Sequence, residues 1–117
     1  MKPAERLVLV SDASAAAGAA GGRARLGDAE VEARDGRAVI AGTDTLAGSV
    51  IGLDGAVHNL VDAGAPLPLA IAAATRNPAR LLGDASRGEI APGRRADLVE
   101  LDDDLRVTGV WLGGRPI

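Results

Sequence analysis

Near its start the chain carries a short apolar run, LVLV at residues 7–10, that stops abruptly at Ser11 and Asp12. An uninterrupted apolar run of this length is typical of a strand buried on both faces, and such strands belong to parallel α/β sheets. In those sheets, and above all in barrels of strands and helices, catalytic groups lie at the carboxyl ends of the strands. Asp12 therefore stands where a catalytic group is expected.

The composition predicts a globular domain with an unusual core. The 117 residues are 47% hydrophobic and 25% charged, which is enough to bury a core. The sequence has no Phe, no Tyr and a single Trp111, so Ala, Val, Leu and Ile must fill that core. Because small side chains each bury little apolar area, a fold of this composition standing alone is predicted to be marginally stable.

Charge and cysteine content exclude several classes of function. The net charge is -3, the pI is near 5.0 and the arginines are scattered, so no nucleic-acid partner is predicted. The absence of cysteine excludes disulfides, thiolate nucleophiles and cysteine metal sites. Neither a signal peptide nor a membrane span is recognisable, so we expect a cytoplasmic protein with no membrane partner.

The first half of the chain is predicted to hold a loop and a hairpin. Residues 13–25 are rich in Ala and Gly and are expected to form a mobile loop of the kind that closes over ligands. In residues 30–42, two short runs flank Asp35-Gly36, a dipeptide suited to the positive backbone angles of a tight turn. A β-hairpin is therefore predicted there.

The middle of the chain is predicted to form two helices. From Thr45 onward, apolar residues recur at helical spacing, and Gly64 is expected to end the helix. Three residues are candidates for its N-cap. The apolar residues are Leu46, Val50, Leu53, Val57, Leu60 and Val61, and the candidate caps are Thr43, Asp44 and Thr45. A second helix is expected from Pro68 through residue 75, with an interruption at Asn77-Pro78 before residues 79–83.

The last third of the chain has strand character. Two predicted strands, residues 96–101 and 105–112, are separated by an acidic turn at residues 102–104. The element order is unusual for a complete domain, because a parallel strand at residues 7–10 needs a parallel neighbour and the rest of the sequence offers no obvious one.

Three motifs in the sequence resemble a known family. A spaced set of residues near the end of the chain resembles the C-terminal signature of the amidohydrolase superfamily. Its residues are Gly88, Ile90, Pro92, Gly93, Ala96, Asp97, Leu98, Val99, Val110, Trp111 and Gly114. Two further motifs, LVSDA at residues 9–13 and TLAGSVIGLDGAVHNLV at 45–61, are similar to those of the N-acetylglucosamine-6-phosphate deacetylases within that superfamily.

The resemblance implies an α/β fold that is a C-terminal fragment of an amidohydrolase (β/α)8 barrel. Residues 1–83 would supply the last barrel strand, the β-hairpin and two helices of a metal-dependent hydrolase. Residues 84–117 would supply strands of a small β-sandwich. The other barrel strands would lie upstream of Met1, which would explain the missing neighbour of residues 7–10.

The resemblance also implies a reaction, the removal of the acetyl group from N-acetylglucosamine 6-phosphate in amino-sugar catabolism. Asp12 would act as general base and then general acid. Ala47, Gly48, Ser49 and Val50 would bind the substrate, with backbone amides and a hydroxyl near a helix start suited to an anionic ligand. The amino-sugar phosphate would be the small-molecule partner, and the enzyme would be a homo-oligomer.

The family's metal centre does not map onto this chain. The resemblance implies a divalent cation of the zinc or iron type, which would lower the pKa of a bound water. Family members hold it mainly through a Glu and two His on earlier strands, whereas this sequence has one histidine, His58, within a predicted helix. No metal ligand is therefore assigned here, and the chain alone is expected to be inactive.

Plainer interpretations stand beside these. Asp12 alone is typical of a turn former or helix cap, TLAGS alone of a capped helix start, and the glycines 18–22 of a connector. Residues 102–104 are expected to be a solvated turn, Asp97 to bond the backbone, and Arg94 and Arg95 to be exposed. Two other functions remain open: a non-catalytic remnant that self-associates or binds partners, and an amidohydrolase acting on a cyclic amide.

Overall fold

The computed structural model describes residues 3–117 and has an α/β composition. These residues divide into two compact units, one formed by Ser11–Gly52 and the other by the described residues up to Val10 together with Leu53–Ile117. The predicted boundary between residues 83 and 84 falls inside the second unit, and that division remains a prediction. Among residues 3–117, no helix combines the length and apolar character needed to cross a membrane.

The unit Ser11–Gly52 is built on a four-stranded antiparallel sheet in which each strand pairs with the next. Its strands are β1 (Arg23–Leu26), β2 (Ala29–Arg34), β3 (Arg37–Ile40) and β4 (Leu46–Ser49). The predicted hairpin is confirmed, since Asp35 and Gly36 link β2 to β3 with φ angles of 50° and 75°. Two positive φ angles in succession suit the twist of a two-residue hairpin.

The core of this unit uses small side chains, as the composition predicts. The side chains of Val31, Ala38 and Val39 are buried on β2 and β3, and Ala16 is buried in the segment before β1. Val31 lies opposite Ile40 in the register of β2 and β3. The hairpin therefore forms the centre of the packed sheet.

Two predictions in this unit are wrong. Residues 13–25 were expected to be a loop throughout, but a 3-10 turn (Ala20–Gly22) leads directly into β1. Residues 45–52 were expected to open a helix, but β4 pairs with β3 in this region. A right-handed helix is excluded at Gly48, whose φ is 112°. The apolar spacing predicted a helix from Thr45, but the helix begins only at Leu53.

The second unit contains three helices and a three-stranded antiparallel sheet. The helices are α1 (Leu53–Asp62), α2 (Leu67–Ala74) and α3 (Arg76–Leu81). Pro68 lies in the first turn of α2, and the helical break comes at Thr75, whose φ is -129°. The strands are β5 (Leu98–Leu101), β6 (Val107–Leu112) and β7 (Arg115–Pro116).

The predicted strands of the last third are confirmed, with β7 as an addition. Leu98 of β5 lies opposite Trp111 of β6. In the acidic turn between the two strands, the Asp102 carboxylate accepts hydrogen bonds from the amides of Asp104 and Arg106 at 3.0 and 2.8 Å. Its role is that of a turn former.

The apolar run at residues 7–10 does not form the doubly buried strand that the sequence predicts. The Leu9 amide donates to the carbonyl of Ala73 in α2 at 2.9 Å, and Val10 is 71% exposed. Buried Asn77 of α3 donates to the carbonyl oxygens of Ala4 and Leu7 at 2.9 and 2.7 Å. Residues 7–10 are therefore joined to helices by hydrogen bonds, and no strand of the described chain pairs with them.

Candidate functional site

Asp12 has an unusual backbone conformation. Its φ is 48°, in the left-handed region that only a few non-glycine residues of the described chain enter. Asp tolerates this region better than most residues, yet such a conformation persists only where the surroundings fix it. The side chain is exposed, and no hydrogen bond to its carboxylate is formed within residues 3–117. The carboxylate is thus available for contact with a ligand.

Ser49 holds the backbone on both sides of Asp12. Its amide donates to the carbonyl oxygen of Asp12 at 2.8 Å, and its own carbonyl accepts from the amide of Ser14 at 2.9 Å. These two bonds make a parallel bridge between Ala13 and Ser49. The Ser49 hydroxyl also donates to the carbonyl of Ser11. The segment that carries Asp12 is therefore fastened to the end of β4 by three hydrogen bonds.

Gly48 provides the space for this contact. A Cβ atom built on Gly48 would lie 2.8 Å from the Asp12 carbonyl oxygen, 3.5 Å from the Ser14 Cβ and 3.7 Å from the Asp12 Oδ2 atom. A backbone carbonyl cannot move away as the tip of a flexible side chain can. Glycine is thus needed at this position both for its φ and for the close approach of Asp12.

The structure brings together the residues that the sequence singled out, but in a different local structure. Ala47, Gly48 and Ser49 lie on β4 and Val50 follows directly, all partly buried and in one unit with Asp12. The expectation that they open a helix is wrong, since α1 begins at Leu53. Their part in binding an anionic substrate stays a prediction.

The described residues do not fit a metal centre of their own. Within residues 3–117, no three side chains of the metal-binding types converge on one point. His58, in α1, is exposed and its Nδ1 atom lies 3.2 Å from the carboxylate of Asp62 one turn later. It is a surface residue paired with an acidic neighbour.

Asp97 has a structural role, as expected. One of its oxygens accepts from the Gly113 amide at 2.8 Å, and the guanidinium of Arg95 donates to both oxygens at 3.0 and 3.2 Å. The hydrogen bond from Arg95, followed by that from Gly113, lowers the pKa of the Asp97 carboxyl below its ordinary value. The residue ties the start of β5 to the end of β6.

The neighbouring basic residues are paired rather than free. A guanidinium nitrogen of Arg94 lies 3.5 Å from the Glu89 carboxylate, which Arg80 also approaches at 3.4 Å. A cavity of about 280 Å³ lies among these residues, and a second of about 240 Å³ lies beside His58. Neither is lined by Asp12 or by residues 47–50.

Sequence reasoning missed the part played by Ser11 and Ser14. Both contribute backbone groups to the contact with Ser49, and the Ser14 hydroxyl also accepts from the Ala16 amide at 3.2 Å. The available signal was the pattern Ser-Asp-Ala-Ser, in which two serines flank the aspartate. Such residues favour local turns over regular strands.

Known proteins are similar to this chain in sequence. A model of the amidohydrolase family matches residues 17–117. The N-acetylgalactosamine-6-phosphate deacetylase of Escherichia coli O157:H7 is 42% identical over 113 residues, which are 95% of this chain and 30% of that protein. The human N-acetylglucosamine-6-phosphate deacetylase is 43% identical over 110 residues, which are 92% of this chain and 27% of that protein.

A solved structure agrees in fold as well as in sequence. It is an Asp-to-Ala mutant of the N-acetyl-D-glucosamine-6-phosphate deacetylase of Mycobacterium smegmatis, in complex with N-acetyl-D-glucosamine-6-phosphate. The likeness covers 97% of this chain and 31% of that one, with a TM-score of 0.86 and 43% identity. The chain spans less than a third of the length of each of these three proteins. By sequence and by fold, the chain belongs to the amidohydrolase family, among relatives of the amino-sugar-6-phosphate deacetylases.

Proposed function

We propose that the chain supplies the proton-transferring residue of an enzyme that removes the acetyl group from N-acetylglucosamine 6-phosphate. The observation that carries the proposal is the backbone of Asp12, held in the left-handed region by β4 with its carboxylate exposed. Strained backbone of this kind clusters at functional sites. The deacetylase names of the relatives give the reaction.

The chemistry assigned to Asp12 is general base and then general acid catalysis. As a carboxylate it takes one proton from the water that attacks the carbonyl carbon of the acetamide. It then gives a proton to the nitrogen as the bond between carbon and nitrogen breaks. The products are acetate and the free amino-sugar phosphate, and Asp12 returns to its starting state.

The proposal includes the placement of this chain in a larger fold. We place residues 7–10 as a strand of a (β/α)8 barrel whose other strands lie in sequence outside this chain, with a small sandwich formed by residues 84–117. Two observations support this: the run has no strand partner in the described residues, and the human and Mycobacterium smegmatis relatives are more than three times as long as this chain. The proposal also includes the homo-oligomeric state and cytoplasmic location expected from the sequence.

A divalent cation of the zinc or iron type, as the resemblance implies, would have its ligands outside the described residues. We also propose that Ala47, Gly48 and Val50 bind the substrate and that Ser49 lies beside it, because Gly48 and Ser49 contact the Asp12 segment directly. N-Acetylgalactosamine 6-phosphate is the second candidate substrate, because a relative 42% identical carries that name. The two sugars differ only in the configuration at one carbon.

The test is a graft in which this chain replaces the matching segment of the unmutated N-acetyl-D-glucosamine-6-phosphate deacetylase of Mycobacterium smegmatis. Acetate release is measured with both sugar phosphates, for the graft and for its Asp12→Asn and Asp28→Asn variants. Asp28 is an exposed turn residue in the same unit and serves as the matched control. We expect an active graft, an Asp12→Asn variant slowed at least about 100-fold, and an unaffected control.

A folded graft that releases no acetate from either sugar phosphate would contradict the proposal, as would an Asp12→Asn variant of full activity. Circular dichroism and thermal melting establish folding. If the complete graft does not fold, a smaller graft of Ser11–Gly52 alone carries the same test, since this unit contains Asp12 and all of its β4 contacts. An inactive but folded graft would favour the non-catalytic remnant.

A further inference from the structure

We propose that Ser49 is a positioning residue that fixes Asp12 for proton transfer, rather than a residue that binds the sugar phosphate. The inference rests on the proposed function of Asp12. It assigns to Ser49 a role in the rate of the chemical step, which is distinct from substrate affinity.

The first argument is that the hydrogen-bonding groups of Ser49 are already engaged. A serine has two protons to donate, one on the amide and one on the hydroxyl. The Ser49 amide donates to the carbonyl of Asp12, and the hydroxyl donates to the carbonyl of Ser11. The hydroxyl oxygen also accepts from the amide of Ile51 at 3.4 Å. An anionic phosphate needs donors, and Ser49 has none left to offer.

The second argument is the geometry of the residues that Ser49 contacts. Its three bonds reach Ser11, Asp12 and Ser14. Of the residues from Ser11 to Ser14, Asp12 is the one with a positive φ. The left-handed conformation of a non-glycine residue is unfavourable by itself and must be stabilised by its surroundings. Removing the Ser49 hydroxyl therefore lets the peptide before Asp12 rotate, and the carboxylate moves with it.

The third argument concerns precision. A displacement of about 1 Å at a reacting group is enough to lower a rate about 100-fold. Gly48 lets β4 approach the Asp12 carbonyl closely, and Ser49 then binds the segment at that distance. The pair thus sets the distance between the Asp12 backbone and β4. A defect in this pair lowers kcat and leaves KM near its original value.

The first test uses the chain itself, without substrate. Amide hydrogen exchange of Ser14 and Ser49 is followed by NMR in the chain and in Ser49→Ala, Ser49→Thr and Thr43→Ala variants. We expect exchange of both amides to rise about 10-fold in Ser49→Ala and to stay within about 3-fold in Ser49→Thr, which keeps the hydroxyl. Thr43 is the matched control, because its hydroxyl also donates to a backbone carbonyl, that of Ile40 at 2.9 Å.

The second test measures kcat and KM for acetate release in the graft with the Mycobacterium smegmatis relative. Ser49→Ala is expected to lower kcat by about 10- to 100-fold with KM changed less than about 2-fold, and Ser49→Thr to restore most of kcat. If the alanine variant does not fold, Ser49→Cys keeps the size of the side chain and weakens the donated bond, so the same split is expected at smaller amplitude.

Two results for Ser49→Ala overturn the inference. One is unchanged amide exchange at residues 14 and 49 in the chain. The other is a raised KM with unchanged kcat in the graft. The second result would make Ser49 a substrate contact. An inactive graft combined with faster exchange in Ser49→Ala counts against the proposed function alone, because the exchange experiment involves no substrate. The two failures are therefore distinguishable.

Discussion

Gly48 and Asp12 approach each other so closely that a Cβ atom on Gly48 would lie 2.8 Å from the Asp12 carbonyl oxygen. Replacing Gly48 with Ala should therefore separate β4 from the Asp12 segment, and its φ of 112° adds strain. We expect the free energy of unfolding to fall by about 2–3 kcal/mol. Urea unfolding of the chain, followed by circular dichroism, measures the loss.

The matched control for this change is Gly42→Ala. Gly42 has a positive φ of 76° in the same unit, but a Cβ atom there would meet nothing within 4 Å. Gly42→Ala should lower the free energy of unfolding by about 1 kcal/mol, through backbone strain alone. Equal losses for the two variants would show that the close approach of Gly48 to Asp12 contributes nothing.

Replacing Asp12 with Gly should relieve backbone strain while it removes the proposed proton-transferring group. Because glycine enters the left-handed region freely, the free energy of unfolding should stay the same or rise by about 0.5–1 kcal/mol. Acetate release by the graft should fall to that of Asp12→Asn. A clear loss of stability in Asp12→Gly would mean that the Asp12 side chain itself stabilises the fold, contrary to its exposure.

Replacing Asn77 with Ala should release residues 3–10 from the helices. The Asn77 side chain is 3% exposed and donates two hydrogen bonds to carbonyls of that segment. Their loss should lower the free energy of unfolding by about 1–3 kcal/mol and speed exchange of the Leu9 amide, which donates to Ala73. The exposed Asn59→Ala on α1 is the control and should change stability by less than about 0.5 kcal/mol.

Acid should weaken the second unit through Asp97. The hydrogen bond from Arg95 and then that from Gly113 lower the pKa of this carboxyl in the folded chain. A carboxyl with a lowered folded pKa stabilises the fold above its unfolded pKa of about 3.9, and this contribution is lost as pH falls through the folded value. The melting temperature should therefore decrease below about pH 4.

Asp97→Asn should lower the melting temperature at pH 7 and make its decrease below about pH 4 shallower. The decrease should not vanish, because Arg34 lowers the pKa of Glu32 and Ser86 lowers that of Asp84 in the same direction. Asp103→Asn is the control, since this exposed turn carboxylate forms no hydrogen bond within residues 3–117. An identical acid profile for Asp97→Asn and the unmodified chain would refute the assignment.

Local chemistry made some elements predictable. The hairpin at Asp35-Gly36 requires two positive φ angles, and the sequence supplies two residues that accept them. The acidic turn after β5 was predictable for a similar reason, since Asp102 bonds amides two and four residues onward. Pro68 marked the first turn of α2.

Other elements depend on contacts that a sequence pattern does not reveal. Leu46 and Val50 fit the helical spacing of α1, but pairing with β3 makes the segment from Leu46 a strand. β1 was hidden because its neighbours are alanines and glycines, and it forms by pairing with β2. The motif around Asp12 was found through its resemblance to a family, whereas the hydrogen bonds of Ser49 became visible only in the structure.

The consecutive pairing of β1 to β4 has a consequence for the order of folding. Each strand pairs with the next across a short connection. The sheet can therefore form outward from the hairpin with little loss of chain entropy. The hydrogen bond between Ser49 and Ser11 joins residues 38 positions apart and closes the largest loop of this unit. The Asp12 carboxyl would thus acquire its orientation only in the last stage of assembly, after all four strands have paired.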